Sequence, residues 1–220
     1  MRLPAGSEIS ARAFLFDMDG TLVDSSQAVH GMWRRFCARH GVDLDTAMQL
    51  QHGRRSTESV ALWAHLGIDV PAEIARMAAE ELADMAHIVP IPGARALLES
   101  LPPARWAVVT SAERALAQAR LQAAGLPVPH VLVAAEDVVR GKPDPQCFLM
   151  GAQQLGFAGA DCVVFEDAPA GLAAGHAAGA HVVALSTSLT EAELAAEGSL
   201  PDYRGVSAAL EGDRLVLRVE

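Results

Sequence analysis

Two aspartates, Asp17 and Asp19, stand two residues apart where a short apolar run stops, in Ala13-Phe14-Leu15-Phe16-Asp17-Met18-Asp19-Gly20-Thr21. Carboxylates this close repel each other, and each loses hydration at a strand tip unless a cation or a donor compensates. Hard oxygen ligands favour Mg²⁺ as that cation. A carboxylate beside such a metal can also attack phosphorus. A calcium loop does not fit. It needs a third acidic residue before its glycine and a glutamate at about the twelfth position, whereas Gly20 directly follows Asp19. A plain turn accounts for one aspartate and the glycine and leaves the acidic pair unexplained.

Three further polar groups follow apolar runs. Thr110 and Ser111 follow Trp106–Val109, Lys142 lies in the loop after 131–134, and Glu166 and Asp167 follow Cys162–Phe165. Acids at such positions can hold a metal, and hydroxyls and a lysine can hold phosphate oxygens and neutralise transition-state charge. Taken singly, each has a plainer reading. Thr110-Ser111 suits a helix cap, Gly141-Lys142-Pro143 an exposed turn, and Glu166-Asp167 a strand-end turn before a helix. A Walker loop is excluded, because Glu136 stands where its first glycine belongs and Pro143 follows the lysine. Gly171, Gly175 and Gly179 read as small residues that let a helix lie close to a sheet.

These groups converge only if the runs before them are neighbouring strands. Strands are expected at 13–16, 106–109, 131–134, 162–165 and 181–185. They alternate with helices expected at 94–101, 113–124, 145–155 and 170–178. Near-continuous apolar strands alternating with helices indicate a parallel sheet covered on both faces. In such a sheet, ligands sit beyond the carboxyl ends of the strands, where all four groups fall. Arg214–Val219 is expected to add an edge strand.

Between Ser25 and His87 the pattern is helical. Val29, Met32, Trp33, Phe36 and Cys37 share a helical face that Gly41 ends. A second helix is expected at 56–66 and a third at 72–86, with Pro71 at its start; a weaker one covers 46–51. His52-Gly53-Arg54-Arg55 at a helix start can bind an anion, and suits a solvated helix start equally well. His30, His40, His65 and His87 show no ligand pattern. The fold class expected is α/β: a Rossmann-like parallel-sheet core with a small all-helical cap domain inserted after the first strand. The core would comprise residues 1–24 and 92–220, and the cap 25–91.

The 220 residues carry 17 basic and 27 acidic side chains, a net charge of −10, which argues against a general nucleic-acid or anionic-membrane binder. Cys37, Cys147 and Cys162 are odd in number and widely spaced, as buried free thiols in a reducing compartment would be. Residues 1–10 lack the apolar core of a signal peptide, and no apolar run has the length of a membrane span. A cytoplasmic monomer is the expectation, and a small phosphorylated metabolite as its substrate is what the family resemblance of the motifs below implies.

The motifs Asp17-Met18-Asp19-Gly20-Thr21, Val108-Val109-Thr110-Ser111, Gly141-Lys142-Pro143-Asp144-Pro145 and Phe165-Glu166-Asp167-Ala168-Pro169 occur in this order. Together they resemble the four motifs of the haloacid dehalogenase-like hydrolase superfamily. The resemblance runs from about Ala13 to Leu185. It implies that Asp17 is the nucleophile, forming an aspartyl-phosphate, and that Asp19 is the general acid and then the general base. It further implies that Thr110 and the backbone at Ser111 bind the phosphoryl group and that Lys142 neutralises it. Asp167 would bind Mg²⁺ with the Asp17 carboxylate and the Asp19 carbonyl, and Glu166 would be a direct or outer ligand. Apart from the resemblance, His52, Arg54 and Arg55 are the expected substrate contacts of the cap, on residue type alone. The cap and the last motif resemble the sugar phosphatase and glycerol-phosphate phosphatase subgroup, with the β-phosphoglucomutase group as its sister. The mutase pattern has an arginine where Ser56 stands, so a phosphatase of sugar phosphates is the expected activity and a sugar phosphomutase the alternative. A non-catalytic binding module would need no nucleophile.

Overall fold

The computed structural model describes residues 1–51, 56–190, 192–194 and 197–220. In chain order these form β1 (Glu8–Ala11), β2 (Ala13–Phe16), β3 (Val23–Asp24), α1 (Ser26–His40), α2 (Leu44–Gln51), α3 (Ser56–Ala61), α4 (Val70–Ala83) and β4 (Val89–Pro90). Then come α5 (Ala94–Ser100), β5 (Trp106–Val109), α6 (Arg114–Ala123), β6 (Val131–Val133), α7 (Gln146–Gln154) and β7 (Cys162–Glu166). The chain finishes with α8 (Pro169–Ala177), β8 (His181–Leu185), β9 (Gly198–Leu200), β10 (Val206–Glu211) and β11 (Arg214–Val219).

The main sheet has six strands in the order β6-β5-β2-β7-β8-β9, and every pairing is parallel. All four residues of β2 are buried, because β2 is central and covered on both faces. Side chains alternate across a strand, so Phe14 and Phe16 enter one core layer and Ala13 and Leu15 the other. In the first layer Phe16 stacks on Phe165 with centroids 4.6 Å apart. In the second, Gly151 and Gly175 lie against the sheet: a Cβ would come within 2.9 Å of Val109 or Val182 respectively.

Three expectations need correction. The sheet has a sixth strand, β9, which the sequence pattern missed because only three residues pair with β8. Arg214–Val219 is not an edge of this sheet. It is β11, the middle of a separate antiparallel sheet in the order β1-β11-β10. Its buried Leu215 and Leu217 alternate with outward residues, the signature of a strand wet on one face. The helix expected at 56–66 is two pieces, α3 and a short 3₁₀ turn at Ala64–Leu66, because Leu62 and Leu66 face solvent and give a continuous helix no face to bury.

Helices α1 to α4 leave and return through a two-stranded ribbon, β3 against β4. They have a core of their own around Trp33, Phe36, Val60 and Met77. Asp43 and Asp69 cap α2 and α4, accepting hydrogen bonds from the amides of Thr46 at 2.8 Å and Ala72 at 3.1 Å. The three cysteines are buried and free. Among the described residues, no helix is long and apolar enough to cross a membrane.

Candidate active site

The strands β2, β5 and β7 are adjacent, and β6 lies beyond β5. Their carboxyl ends deliver Asp17, Thr110 and Glu166 to one edge, and the loop after β6 brings Lys142 back over it. Together with Asp19, Ser111 and Asp167 these residues line one cavity of about 650 Å³. The opposite wall comes from the helical segment and is largely apolar, with Val29, Met32, Trp33, Met48 and Ile74. His52, Arg54 and Arg55 lie outside the described residues.

Lys142 is the hub of the site. Its Nζ donates to Asp17 Oδ1 at 2.5 Å, Glu166 Oε1 at 2.7 Å and the Val109 carbonyl at 3.2 Å. Burial alone would favour the neutral amine, but Asp17 and Glu166 outweigh it and hold the lysine charged. Asp17 is raised well above the usual carboxylate range, first by burial and then by Glu166 and Asp167, against the pull of Lys142. Asp167 is pushed up to about 7 by burial and by Glu166.

Glu166 is fully engaged. Its Oε2 accepts from the amides of Asp167 and Ala168, both at 2.8 Å, while Oε1 holds Lys142. Thr110 is tied at both ends, its amide donating to Val133 and its hydroxyl accepting from the Ala112 amide at 3.1 Å. Gly20 has φ +79°, and a Cβ there would fall 2.0 Å from Asp167 Oδ2, so only glycine permits both the turn and the approach.

Asp17, Glu166 and Asp167 each place a carboxylate oxygen within 4.8 Å of the others, and all three are buried. Three acids face one lysine. The charge shortfall and the hard oxygen donors fit a divalent cation such as Mg²⁺.

The site also holds residues that the sequence pattern did not single out. Ser188 donates to Asp167, and Thr187 donates to the Gly20 carbonyl at 2.5 Å. Both follow β8, and the strand-end rule that found the other groups applies equally to Ser186-Thr187-Ser188. Arg120 and Glu81 are paired at 2.7 Å, and Arg120 reaches Asp19 Oδ2 at 2.9 Å. The available signal was a charge within a buried stripe: Arg120 shares a face with Leu116, Ala117 and Leu121, and Glu81 with Glu73 and Met77.

Comparison with known proteins is consistent with this geometry. Residues 11–179 match the family model described as haloacid dehalogenase-like hydrolase. The chain is 45% identical to hexitol phosphatase A of Escherichia coli over 179 residues, covering 80% of this chain and 83% of that protein. It is 33% identical to glycerol-1-phosphate phosphohydrolase 2 of Saccharomyces cerevisiae, over 81% of this chain and 76% of that one. A crystal structure of a hydrolase from Pseudomonas syringae superposes with a TM-score of 0.72 at 26% identity, covering 86% of this chain and 91% of that chain.

Proposed function

The chain belongs to the haloacid dehalogenase-like hydrolase family, and on that premise we propose a Mg²⁺-dependent phosphatase of sugar and polyol phosphates that works through an aspartyl-phosphate on Asp17. One observation carries this reading above the others. Asp17 lies at the cavity with Lys142 at 2.5 Å, and Lys142 is itself fixed by Glu166 at 2.7 Å. A binding site for an anion would not place a buried carboxylate against it. A nucleophilic role accounts for a carboxylate at that position.

The Asp17 carboxylate attacks phosphorus in line with the leaving alcohol, and the oxygen–phosphorus bond of the ester breaks as the aspartyl-phosphate forms. Asp19, two residues on at the same strand tip, gives its proton to the departing alkoxide. The same carboxylate then takes a proton from water, whose oxygen attacks phosphorus and releases Asp17 and inorganic phosphate. Lys142 offsets the charge on the transferring group, and Thr110 with the backbone at Ser111 orients it. Mg²⁺, held by the carboxylates of Asp17 and Asp167 and the Asp19 carbonyl, would supply further charge neutralisation at the phosphoryl oxygens. Glu166 serves that set from outside, since both its oxygens are occupied by Lys142 and two amides.

Residues 25–91 act as a cap that closes over the leaving group and excludes bulk water, with 1–24 and 92–220 as the catalytic core. Their separate core and two-strand hinge support this division. His52, Arg54 and Arg55 are substrate-binding candidates on residue type alone, since cations and an imidazole suit an anionic substrate. The relatives named for hexitol phosphate and glycerol 1-phosphate hydrolysis support sugar and polyol phosphates as the substrate class. A screen of phosphorylated metabolites, read by free phosphate, tests the assignment. Hexitol and hexose phosphates should head it. Interconversion of glucose 1-phosphate and glucose 6-phosphate that outpaces phosphate release would make the protein a mutase instead.

A further inference from the structure

Arg120 and Glu81 are buried charges at the cavity wall that the mechanism above leaves unused. The Arg120 side chain, on α6, is 3% exposed and Glu81, on α4, is 8% exposed. Removing each ion from water costs several kcal/mol, and an apolar residue would fit the Leu116-Ala117-Leu121 face of α6 at lower cost. Two features say what the guanidinium is doing there. First, its Nη1 is the only side-chain donor to Asp19 among the described residues: Oδ2 is paired with Arg120 at 2.9 Å, while Oδ1 is buried without a partner. Second, its Nη2 reaches out of the sheet layer to Glu81 at 2.7 Å. Among the described residues, that is the only ion pair joining 25–91 to the rest of the chain.

We propose that Arg120 is a positioning residue for Asp19, and that Glu81 seats Arg120 only while α4 is docked, so that the cap controls the acid–base carboxylate through one buried guanidinium. The proposal rests on the phosphatase reading. If α4 swings away, Glu81 leaves with it. Arg120 then loses one of its two anions, and Asp19 loses the fixed orientation from which it can protonate the leaving group. Proton transfer is thereby confined to the closed, water-poor state.

The test uses single-turnover phosphoryl transfer with two substrates, a hexitol phosphate and an activated aryl phosphate whose leaving group needs little protonation. With Arg120→Met, transfer from the hexitol phosphate should fall about 100-fold, the lower range for loss of general acid catalysis, and from the aryl phosphate less than about fivefold. Glu81→Met should show the same selectivity with a smaller loss, and Arg120→Lys, which keeps the charge and the fold, should recover part of it. Equal losses on both substrates would mean a merely structural role and overturn the proposal, as would an undiminished rate on the hexitol phosphate. If the unaltered protein transfers phosphate from neither substrate, the phosphatase reading has failed. The pairing is then judged by hydrogen exchange alone. Arg120→Met must speed exchange of the α4 amides, and unchanged exchange refutes the link.

Discussion

Replacing Gly171 by alanine should damage this protein far more than a glycine-to-alanine change in a helix ordinarily does. Gly171 lies in α8 with a helical backbone, where alanine by itself is favourable by about 1 kcal/mol. Its missing side chain is the space that Glu166 occupies. A Cβ would fall 1.6 Å from Glu166 Oε1, 1.9 Å from Cδ and 2.5 Å from Oε2. The carboxylate must therefore move off the two amides that it accepts from at 2.8 Å, and loosen its 2.7 Å contact with Lys142. Hydrogen bonds to a charged group are worth about 1.5–3 kcal/mol each. Losing the two amide bonds thus costs about 3–6 kcal/mol, and the helix gain leaves a net loss of about 2–5 kcal/mol. For a chain of this size the melting temperature should drop by at least about 4 °C. Thermal and urea unfolding of Gly171→Ala, Glu166→Ala and the double variant would measure it. In the Glu166→Ala background the alanine should be neutral or stabilise by up to about 1 kcal/mol, because the clash is gone and the helix gain remains. A Gly171→Ala protein that melts at or above the unaltered one, or one equally damaged in both backgrounds, refutes the packing account of Glu166.

Four further outcomes are expected. Lys142→Met should abolish turnover and destabilise the fold by about 3–5 kcal/mol in urea titrations, since it leaves Asp17 and Glu166 buried without their cation. Chelation should remove activity, Mg²⁺ should restore it, and Ca²⁺ should inhibit because its longer bonds suit the in-line geometry poorly; full activity after exhaustive EDTA treatment would contradict this. The same metal-free protein should lose stability as pH rises from about 4 to 7, because Asp167, pushed up to about 7 when folded against 3.8 ordinarily, keeps a proton that the unfolded chain releases. Added Mg²⁺ should flatten that slope in denaturation curves recorded across the range. Asp19→Asn should slow phosphoryl transfer from a sugar phosphate by about 100-fold or more and spare an activated aryl phosphate, read in single turnover.

The central strand and the four polar groups beyond the sheet were legible because each is a local event, an apolar run followed by polar or charged residues at its end or in the next loop. The helices between Ser25 and His87 were legible from their periodicity, although α3 stops short because Leu62 and Leu66 face solvent. What escaped depends on partners distant in the chain. Strand β9 is three residues whose identity as a strand comes from β8. Strand β11 has the composition of an edge strand, and its pairing with Glu8–Ala11 on one side and Val206–Glu211 on the other assigns it to another sheet. Arg120 and Glu81 interrupt apolar helix faces, but their partners are fixed only when α4 and α6 are brought together, and Ser188 follows a strand like the other site groups but gains its partner only beside Asp167. Local chemistry names the reacting groups; the residues that orient them are found by tertiary contact.

The central claim is that Asp17 becomes phosphorylated during turnover. Acid quenching of the Mg²⁺-loaded protein within its first turnover of a hexitol phosphate, followed by mass spectrometry of its peptides, tests it directly. The account predicts one phosphoryl group on the peptide carrying Asp17, absent from Asp17→Asn, whose fold should persist while phosphate release vanishes. A phosphoryl group on another residue, or Asp17→Asn protein that releases phosphate at an undiminished rate, would contradict it.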